Sequence, residues 1–171
     1  DGEEIVEQLA DGCELSDIPG ISYRSNGSFL HNRATPSVRV QDNVYPRRTL
    51  RRYGYSLDVG GLRGKTFDTV CSSRGCPFNC KFCSFSLNPW GTKRKWSARS
   101  AESVVQEIQE SDANVIGFLD DIFTHDVDRV SEICDLLLER GVKKRYAVNA
   151  RIEIARHPDI LKKMQRAGFS L

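Results

Sequence analysis

Residues 114–141 read NVIGFLDDIFTHDVDRVSEICDLLLERG, and this stretch decides the fold class. Its first six residues, Asn114 to Leu119, form a short apolar run of the kind that makes a buried strand. An acidic pair, Asp120-Asp121, follows it. Val127, Val130, Ile133, Leu137 and Leu138 then recur at helical spacing until Gly141 stops the pattern. A buried strand, a polar turn and an amphipathic helix make one βα unit. The same unit recurs on both sides. Upstream, Phe67 to Cys71 predicts a strand, and Ser100 caps a helix carrying Val104, Val105 and Ile108. Downstream, Tyr146 to Asn149 predicts a third strand. Pro158 opens a helix with Ile160, Leu161 and Met164 inward, Gly168 ends it, and Phe169-Ser-Leu171 starts a fourth strand.

The resulting order, β-α-β-α-β-α-β, is that of a parallel sheet with right-handed crossovers. Three complete units cannot close a barrel. The chain is therefore either a small open sheet or the first half of a barrel, and in both the chemistry gathers at the carboxyl ends of the strands. That directs attention to the residues after Cys71, Leu119 and Asn149.

The first 65 residues look different. Ile5, Val6 and Leu9 suggest a short helix, and Ile21 to His31 reads as two short strands around Asn26-Gly27. Residues 1–35 are taken as the tail of an upstream domain. Residues 36–65, rich in Arg, Pro and Gly, are taken as a linker, and residues 66–171 as the main domain.

The 171 residues carry a net charge of +2, with 39% hydrophobic content and 6 cysteines. No apolar run reaches the ~18 residues needed to span a bilayer. The acidic start, DGEEIVEQLADGCELSD, is unlike a secretion signal, so a cytoplasmic location is expected and the cysteines are read as thiols. The small net charge hides a basic middle: residues 36–99 hold three acids against thirteen bases. Such a block is a solvated surface or an attractor of anions.

Three of the cysteines stand in one loop, Cys71-Ser-Ser-Arg-Gly-Cys76-Pro-Phe-Asn-Cys80-Lys-Phe-Cys83. The intervals of four and three let Cys76, Cys80 and Cys83 turn thiolates towards one point, which suits a metal or an iron–sulfur cluster. A closed zinc site wants a fourth ligand. No second Cys pair supplies one, and His31, His125 and His157 are scattered. Three ligands leave one position of a cluster open. Cys13, Cys71 and Cys134 are read as packed or exposed thiols outside the site.

In the context Ser73-Arg-Gly-Cys-Pro-Phe-Asn-Cys-Lys-Phe-Cys-Ser84, this spacing resembles the signature of radical S-adenosylmethionine (SAM) enzymes. The resemblance implies a [4Fe-4S] cluster on Cys76, Cys80 and Cys83, with the methionine part of SAM chelating the open iron. It implies reductive cleavage of SAM to a 5'-deoxyadenosyl radical, and hence a flavodoxin- or ferredoxin-type reductant. Phe82 matches the position that packs near the adenine. Asp120 and Asp121 stand where the family's amino-group motif lies, with the usual Gly-Gly-Glu absent. Asn149 and Arg151 are placed to meet the cofactor's carboxylate or ribose. No residue is assigned to catalysis on the substrate.

Gly117-Phe-Leu-Asp-Asp-Ile-Phe123 and Asp17-Ile-Pro-Gly-Ile-Ser-Tyr-Arg-Ser25 are similar to the branch whose members carry a cobalamin-binding domain before the radical domain, including methyltransferases and the anaerobic magnesium-protoporphyrin monomethyl ester cyclase. That branch implies the front half of a partial TIM-type barrel, three βα units and the start of a fourth strand, ending on an exposed sheet edge. The cobalamin motif Asp-x-His-x-x-Gly does not occur in these residues, so cobalamin binding would belong to sequence upstream of Asp1. The substrate-selecting half is likewise expected elsewhere. Two alternatives stand beside this reading. One is a tRNA-modifying methylthiotransferase, with Arg47, Arg48, Arg51, Arg52, Lys93, Arg94 and Lys95 meeting phosphates between Tyr45, Tyr53, Tyr55, Trp90 and Trp96. The other is a non-enzymatic zinc-binding module.

Overall fold

A computed structural model describes residues 2–33, 40–42, 44–58, 60–83 and 95–170. The described chain forms two units, one from residues 2–33 and one from the remainder. Among the described residues no helix is long and apolar enough to cross a membrane.

The first unit contains helix α1 (Gly2–Ala10) and an antiparallel hairpin of β1 (Ser22–Ser25) and β2 (Ser28–His31). Asn26 and Gly27 both take positive φ, 50° and 83°, as the tight two-residue turn expected from Asn-Gly requires. The Asn32 side chain donates to the carbonyls of Leu15 and Ile18, fastening the end of the hairpin to the preceding turn.

The second unit is built on a four-stranded sheet. In chain order it contains β3 (Tyr55–Ser56), β4 (Thr66–Val70), a two-residue ladder of β5 (Ser73–Arg74) with β6 (Ser97–Ala98), α2 (Ala101–Glu110), β7 (Val115–Phe118), α3 (Val127–Glu139), β8 (Arg145–Ala147) and α4 (Pro158–Ala167). The sheet order is β3-β4-β7-β8. β4, β7 and β8 are parallel, with Phe67 opposite Val115 and Val115 opposite Arg145, while β3 pairs antiparallel on the outer side of β4. Phe169 makes one isolated parallel bridge to Tyr146 of β8, and Leu171 lies outside the described residues.

Local chemistry marks the helix ends. Ser100 accepts from the Ser103 amide at the start of α2, and Asp126 accepts from the Arg129 amide at the start of α3. Pro158 opens α4, and Gly168 closes it at φ 107°. A Cβ at Gly168 would collide with the Lys144 carbonyl, so this position requires glycine on steric as well as conformational grounds.

β7 is buried along its whole length, as the central strand must be. One core joins Val70, Ile116, Phe118 and Tyr146 of the sheet to Val104, Val105 and Ile108 of α2, Val130, Ile133, Cys134 and Leu137 of α3, and Met164 of α4. Phe118, Phe123, Tyr146 and Phe169 form an aromatic group at its centre, with Tyr146 and Phe169 ring centroids 4.8 Å apart. Cys134 is fully buried there, and burial pushes its thiol up to about 12, which keeps it protonated and inert.

Part of the segment expected as a linker packs with the sheet: β3 pairs with β4, and two arginines reach Asp68. Arg48 and Arg51 reach buried carboxylates, whereas Arg47, Arg52 and Arg63 lie exposed. Arg48 pairs with Asp68 of β4 and with Glu107 of α2, and Arg51 pairs with Asp68 at 3.0 Å. Glu107 also pairs with Arg99. Asp68 accepts further from the Thr69 amide and from Ser111 Oγ.

Burial opposes ionisation of Asp68, but the Thr69 amide, Arg51 and Arg48 together outweigh it and hold the carboxyl below its usual range. A carboxyl lowered in the folded state contributes stability that is present above the unfolded pKa of about 3.9 and is lost as pH falls through the folded value. Urea midpoints measured from pH 7 to pH 2 are therefore expected to fall most steeply below about pH 4. An Asp68→Asn variant should start lower and lose less over that window. An equal drop in both would remove Asp68 as the group responsible.

Candidate active site

The chain leaves β4 at Cys71, and its next residues are held by the end of β7. Asp120 has no exposed surface. Its Oδ1 accepts from the Ser72 amide at 2.8 Å, and its Oδ2 accepts from Ser72 Oγ at 2.6 Å and Ser73 Oγ at 2.5 Å. Asp121, half-buried, accepts from the Gly75 amide at 3.0 Å through Oδ2. Gly75 sits at φ 86°, the left-handed turn from which the cysteine loop departs. Adjacent residues at the end of a strand point different ways, so the two carboxylates grip successive parts of the loop.

Two buried arginines brace the same segment from the helix side. Arg129, in the first turn of α3, donates through Nε to the Arg99 carbonyl and through Nη2 to the Ser72 carbonyl. Arg99 donates to the Cys71 carbonyl at 3.3 Å. Burial lowers the Arg129 pKa, with Asp120 and Asp126 opposing. The β5–β6 ladder closes the base of the excursion, where Ser73 pairs with Ala98 and Arg74 with Ser97.

Cys76, Cys80 and Cys83 are half-buried, and none is in a disulfide. The Cys83 amide donates to the Cys80 carbonyl, so the second interval is a tight turn. Among the described residues no three Cys, His, Asp or Glu side chains converge in the arrangement of a metal site. The donor set nevertheless fits an iron–sulfur cluster in kind. Three thiols lie on one loop at the carboxyl edge of a parallel sheet, and that loop is fixed at its base by Asp120, Asp121 and the β5–β6 ladder.

The end of β8 supplies the other wall. Asn149 Nδ2 donates to the Asp120 carbonyl, and the Asn149 carbonyl accepts from the Phe123 amide, which ties the β8 loop to the β7 loop. Arg151 forms a fork with Glu153, lies 4.0 Å from the centroid of the Phe78 ring, and donates from Nη1 to Cys80 Sγ at 3.5 Å. A cleft of about 140 Å³ opens between the cysteine loop and the β7 and β8 loops, lined by Phe78, Thr124, His125, Arg151, Glu153 and His157 among others. His125 packs edge-on against Trp96, 4.8 Å between centroids.

The residues singled out from sequence thus meet in part. The loop cysteines, Asp120, Asp121, Asn149 and Arg151 come together at one edge of the sheet, whereas Phe82 is 93% exposed. Asp120 faces the loop backbone and its serines. Cys71 donates to the Ser73 carbonyl, with its thiol pushed up by burial; Cys13 is exposed. Ser72, Ser73, Arg99, Arg129 and Glu153 escaped notice in the sequence, although Ser72-Ser73 stands directly after a strand, where a polar pair signals a hydrogen-bonded turn. Of the candidate phosphate contacts, Arg48 and Arg51 are occupied by Asp68 and Glu107, and Tyr45 bonds Glu110 and stacks on Arg99. Trp90, Lys93 and Arg94 lie outside the described residues.

A sheet of this order with three cysteines on its first loop is the frame of an enzyme that builds its site on strand ends. Residues 70–171 match the Radical SAM superfamily, and the chain belongs to it. It is 32% identical to an uncharacterized methyltransferase of Pyrococcus horikoshii, over 97% of this chain and 36% of that protein. It is 25% identical to the anaerobic magnesium-protoporphyrin IX monomethyl ester cyclase of Cereibacter sphaeroides, over 99% of this chain and 29% of the cyclase. Its fold is similar to that of TsrM, a radical S-adenosylmethionine methyltransferase of Kitasatospora setae whose structure holds cobalamin and a [4Fe-4S] cluster. There the TM-score is 0.60 at 15% identity, covering 97% of this chain and 34% of TsrM. The chain spans about a third of the length of these relatives. The family is one of enzymes that use an iron–sulfur cluster and SAM, which sets aside the non-enzymatic zinc module.

Proposed function

We propose that Cys76, Cys80 and Cys83 are the ligands of a [4Fe-4S] cluster, and that the protein carrying this chain is a methyltransferase or cyclase of the cobalamin-associated branch, acting on a small molecule. The observation that carries the reading is the loop itself: three thiols at intervals of four and three, fixed at its base to the carboxyl edge of a parallel sheet. The methyltransferase and cyclase relatives, similar along nearly all of this chain, support the branch. On this reading the parallel strands are the front of a partial barrel.

The cluster's contribution when bound is one electron for the sulfonium of SAM, drawn from a flavodoxin- or ferredoxin-type donor. This chain's own residues do the positioning. Asp120 fixes Ser72 and Ser73, Asp121 fixes Gly75, and Asn149 holds the β7 and β8 loops in register. On this reading Asp121, Phe82 and Asn149 are contacts for the cofactor.

Anaerobic reconstitution tests the proposal. The protein should take up ~4 iron and ~4 sulfide and absorb near ~400 nm, as a cubane cluster does. Cys80→Ser should lose most of the iron and the colour while keeping the circular dichroism of the sheet. A colourless protein that binds zinc in place of iron would overturn the assignment.

A further inference from the structure

We propose that Arg151 is a positioning residue for the cluster: clamped by Glu153 and stacked on Phe78, it donates a hydrogen bond to the sulfur of Cys80 and so sets the cluster's reduction potential. The inference deepens the reading above and rests on Cys80 being a cluster ligand.

The geometry divides the guanidinium among three neighbours. Nε and Nη2 make a fork to the Glu153 carboxylate, with Nε to Oε2 at 3.1 Å and Nη2 to Oε1 at 2.6 Å. That bidentate pairing fixes the plane of the group, a restraint that a lysine cannot supply. One face of the plane covers the Phe78 ring at 4.0 Å. The remaining edge carries Nη1, which reaches Cys80 Sγ at 3.5 Å. Phe78 and Cys80 are two residues apart on the same loop, so a single cation grips the loop by an aromatic face and by a sulfur. Arg151 and Glu153 belong to the segment after β8, and the grip therefore comes from a different strand end than the Asp120 and Asp121 contacts.

The consequence follows from charge. A hydrogen bond to a ligating sulfur and a nearby positive charge both favour the reduced state of a cluster, which carries one more negative charge. Glu153 works against this by placing a compensating carboxylate beside the same cation. Arg151 and Glu153 should thus move the potential in opposite directions, while a purely structural part would make both changes act alike.

The test is a redox titration of the reconstituted protein, followed by the electron paramagnetic resonance of the reduced cluster, with SAM affinity measured on the same samples. Arg151→Gln should shift the midpoint to more negative potential. Glu153→Gln, whose amide oxygen still accepts from Arg151, should shift it to more positive potential. Arg151→Lys should fall between Arg151→Gln and the unaltered protein. Equal midpoints in all four proteins would overturn the inference, as would shifts of the same sign in Arg151→Gln and Glu153→Gln, or a weakened SAM affinity with the midpoint unmoved. If Arg151→Gln loads no iron, Arg151→Lys and Glu153→Gln carry the comparison with the same expected signs. An unaltered protein that takes up no iron overturns the cluster assignment and this inference with it; iron uptake with unshifted potentials overturns only this one.

Discussion

Glu107→Ala is expected to destabilise the protein by about 3–5 kcal/mol, the range for removing one partner from a buried ion pair. Glu107 is 1% exposed on α2 and meets two arginines, Arg48 and Arg99, of which Arg99 is itself 3% exposed. Alanine would leave Arg99 buried with Ser103, the Cys71 carbonyl and the Tyr45 ring as its partners among the described residues, and would leave Arg48 to Asp68 and the Thr69 carbonyl. A domain of this size is stable by about 5–15 kcal/mol, so the loss is a large share of the total. Urea unfolding at pH 7 reads it directly. A Glu107→Gln variant should lose less, since the amide oxygen still accepts from one arginine. A midpoint unchanged in Glu107→Ala would show that the network carries no net stability.

Asp120→Ala is expected to cost a similar amount and, unlike Glu107→Ala, to abolish iron uptake. Among the described residues its carboxylate is the acceptor for the Ser72 amide and for the Ser72 and Ser73 hydroxyls, all at buried residues. Each buried donor left without an acceptor costs about 1–3 kcal/mol, and the three are coupled, so about 3–5 kcal/mol in total is expected. Arg129 would lose the negative charge of Asp120 that offsets its own burial. The functional effect exceeds the thermodynamic one because the released segment begins the cysteine loop. Iron per chain after reconstitution, compared with the urea midpoint, separates the two effects. Asp120→Asn should restore much of both, since hydroxyls can rotate to accept where they formerly donated. Iron uptake at the unaltered level in Asp120→Ala would refute the positioning role.

Much of this architecture was readable in the residues. The three strand-then-helix units are announced by apolar runs of strand length followed by stripes at helical spacing, and Ser100, Pro158 and Gly168 mark helix ends by local chemistry. The hairpin is announced by Asn26-Gly27, because few other pairs accept two positive φ values in succession. The cysteine loop is legible for the same reason: metal-ligand spacing is a short-range property of one segment. The pairing of Arg48 and Arg51 within the segment expected as a linker, 36–65, is not legible because it depends on partners far along the chain. Arg48 finds Glu107 fifty-nine residues away, and nothing in the composition of an Arg- and Gly-rich stretch signals that pairing.

The acidic pair shows where sequence reasoning stops. Two carboxylates at a strand end predict hydrogen-bond acceptance, but not which donors will arrive. The parallel register of β4 and β7 brings Ser72 and Ser73 level with Asp120, forty-eight residues apart in the chain at Ser72, and so turns Asp120 inward onto the loop. Arg151 is a second case. Its proximity to Cys80, across seventy-one residues, exists only because β8 lies beside β7 and the two strand-end loops face each other.

By itself, then, the sequence determined the hairpin, the three strand-then-helix units and their parallel order, and it offered three loop thiols as candidate ligands, since periodicity, capping and ligand spacing are local. The tertiary structure alone decided which charges are paired, what the acidic residues hold, and which cation meets the cysteine loop, because those depend on strand register and on burial, which raises the cost of every unpaired polar group.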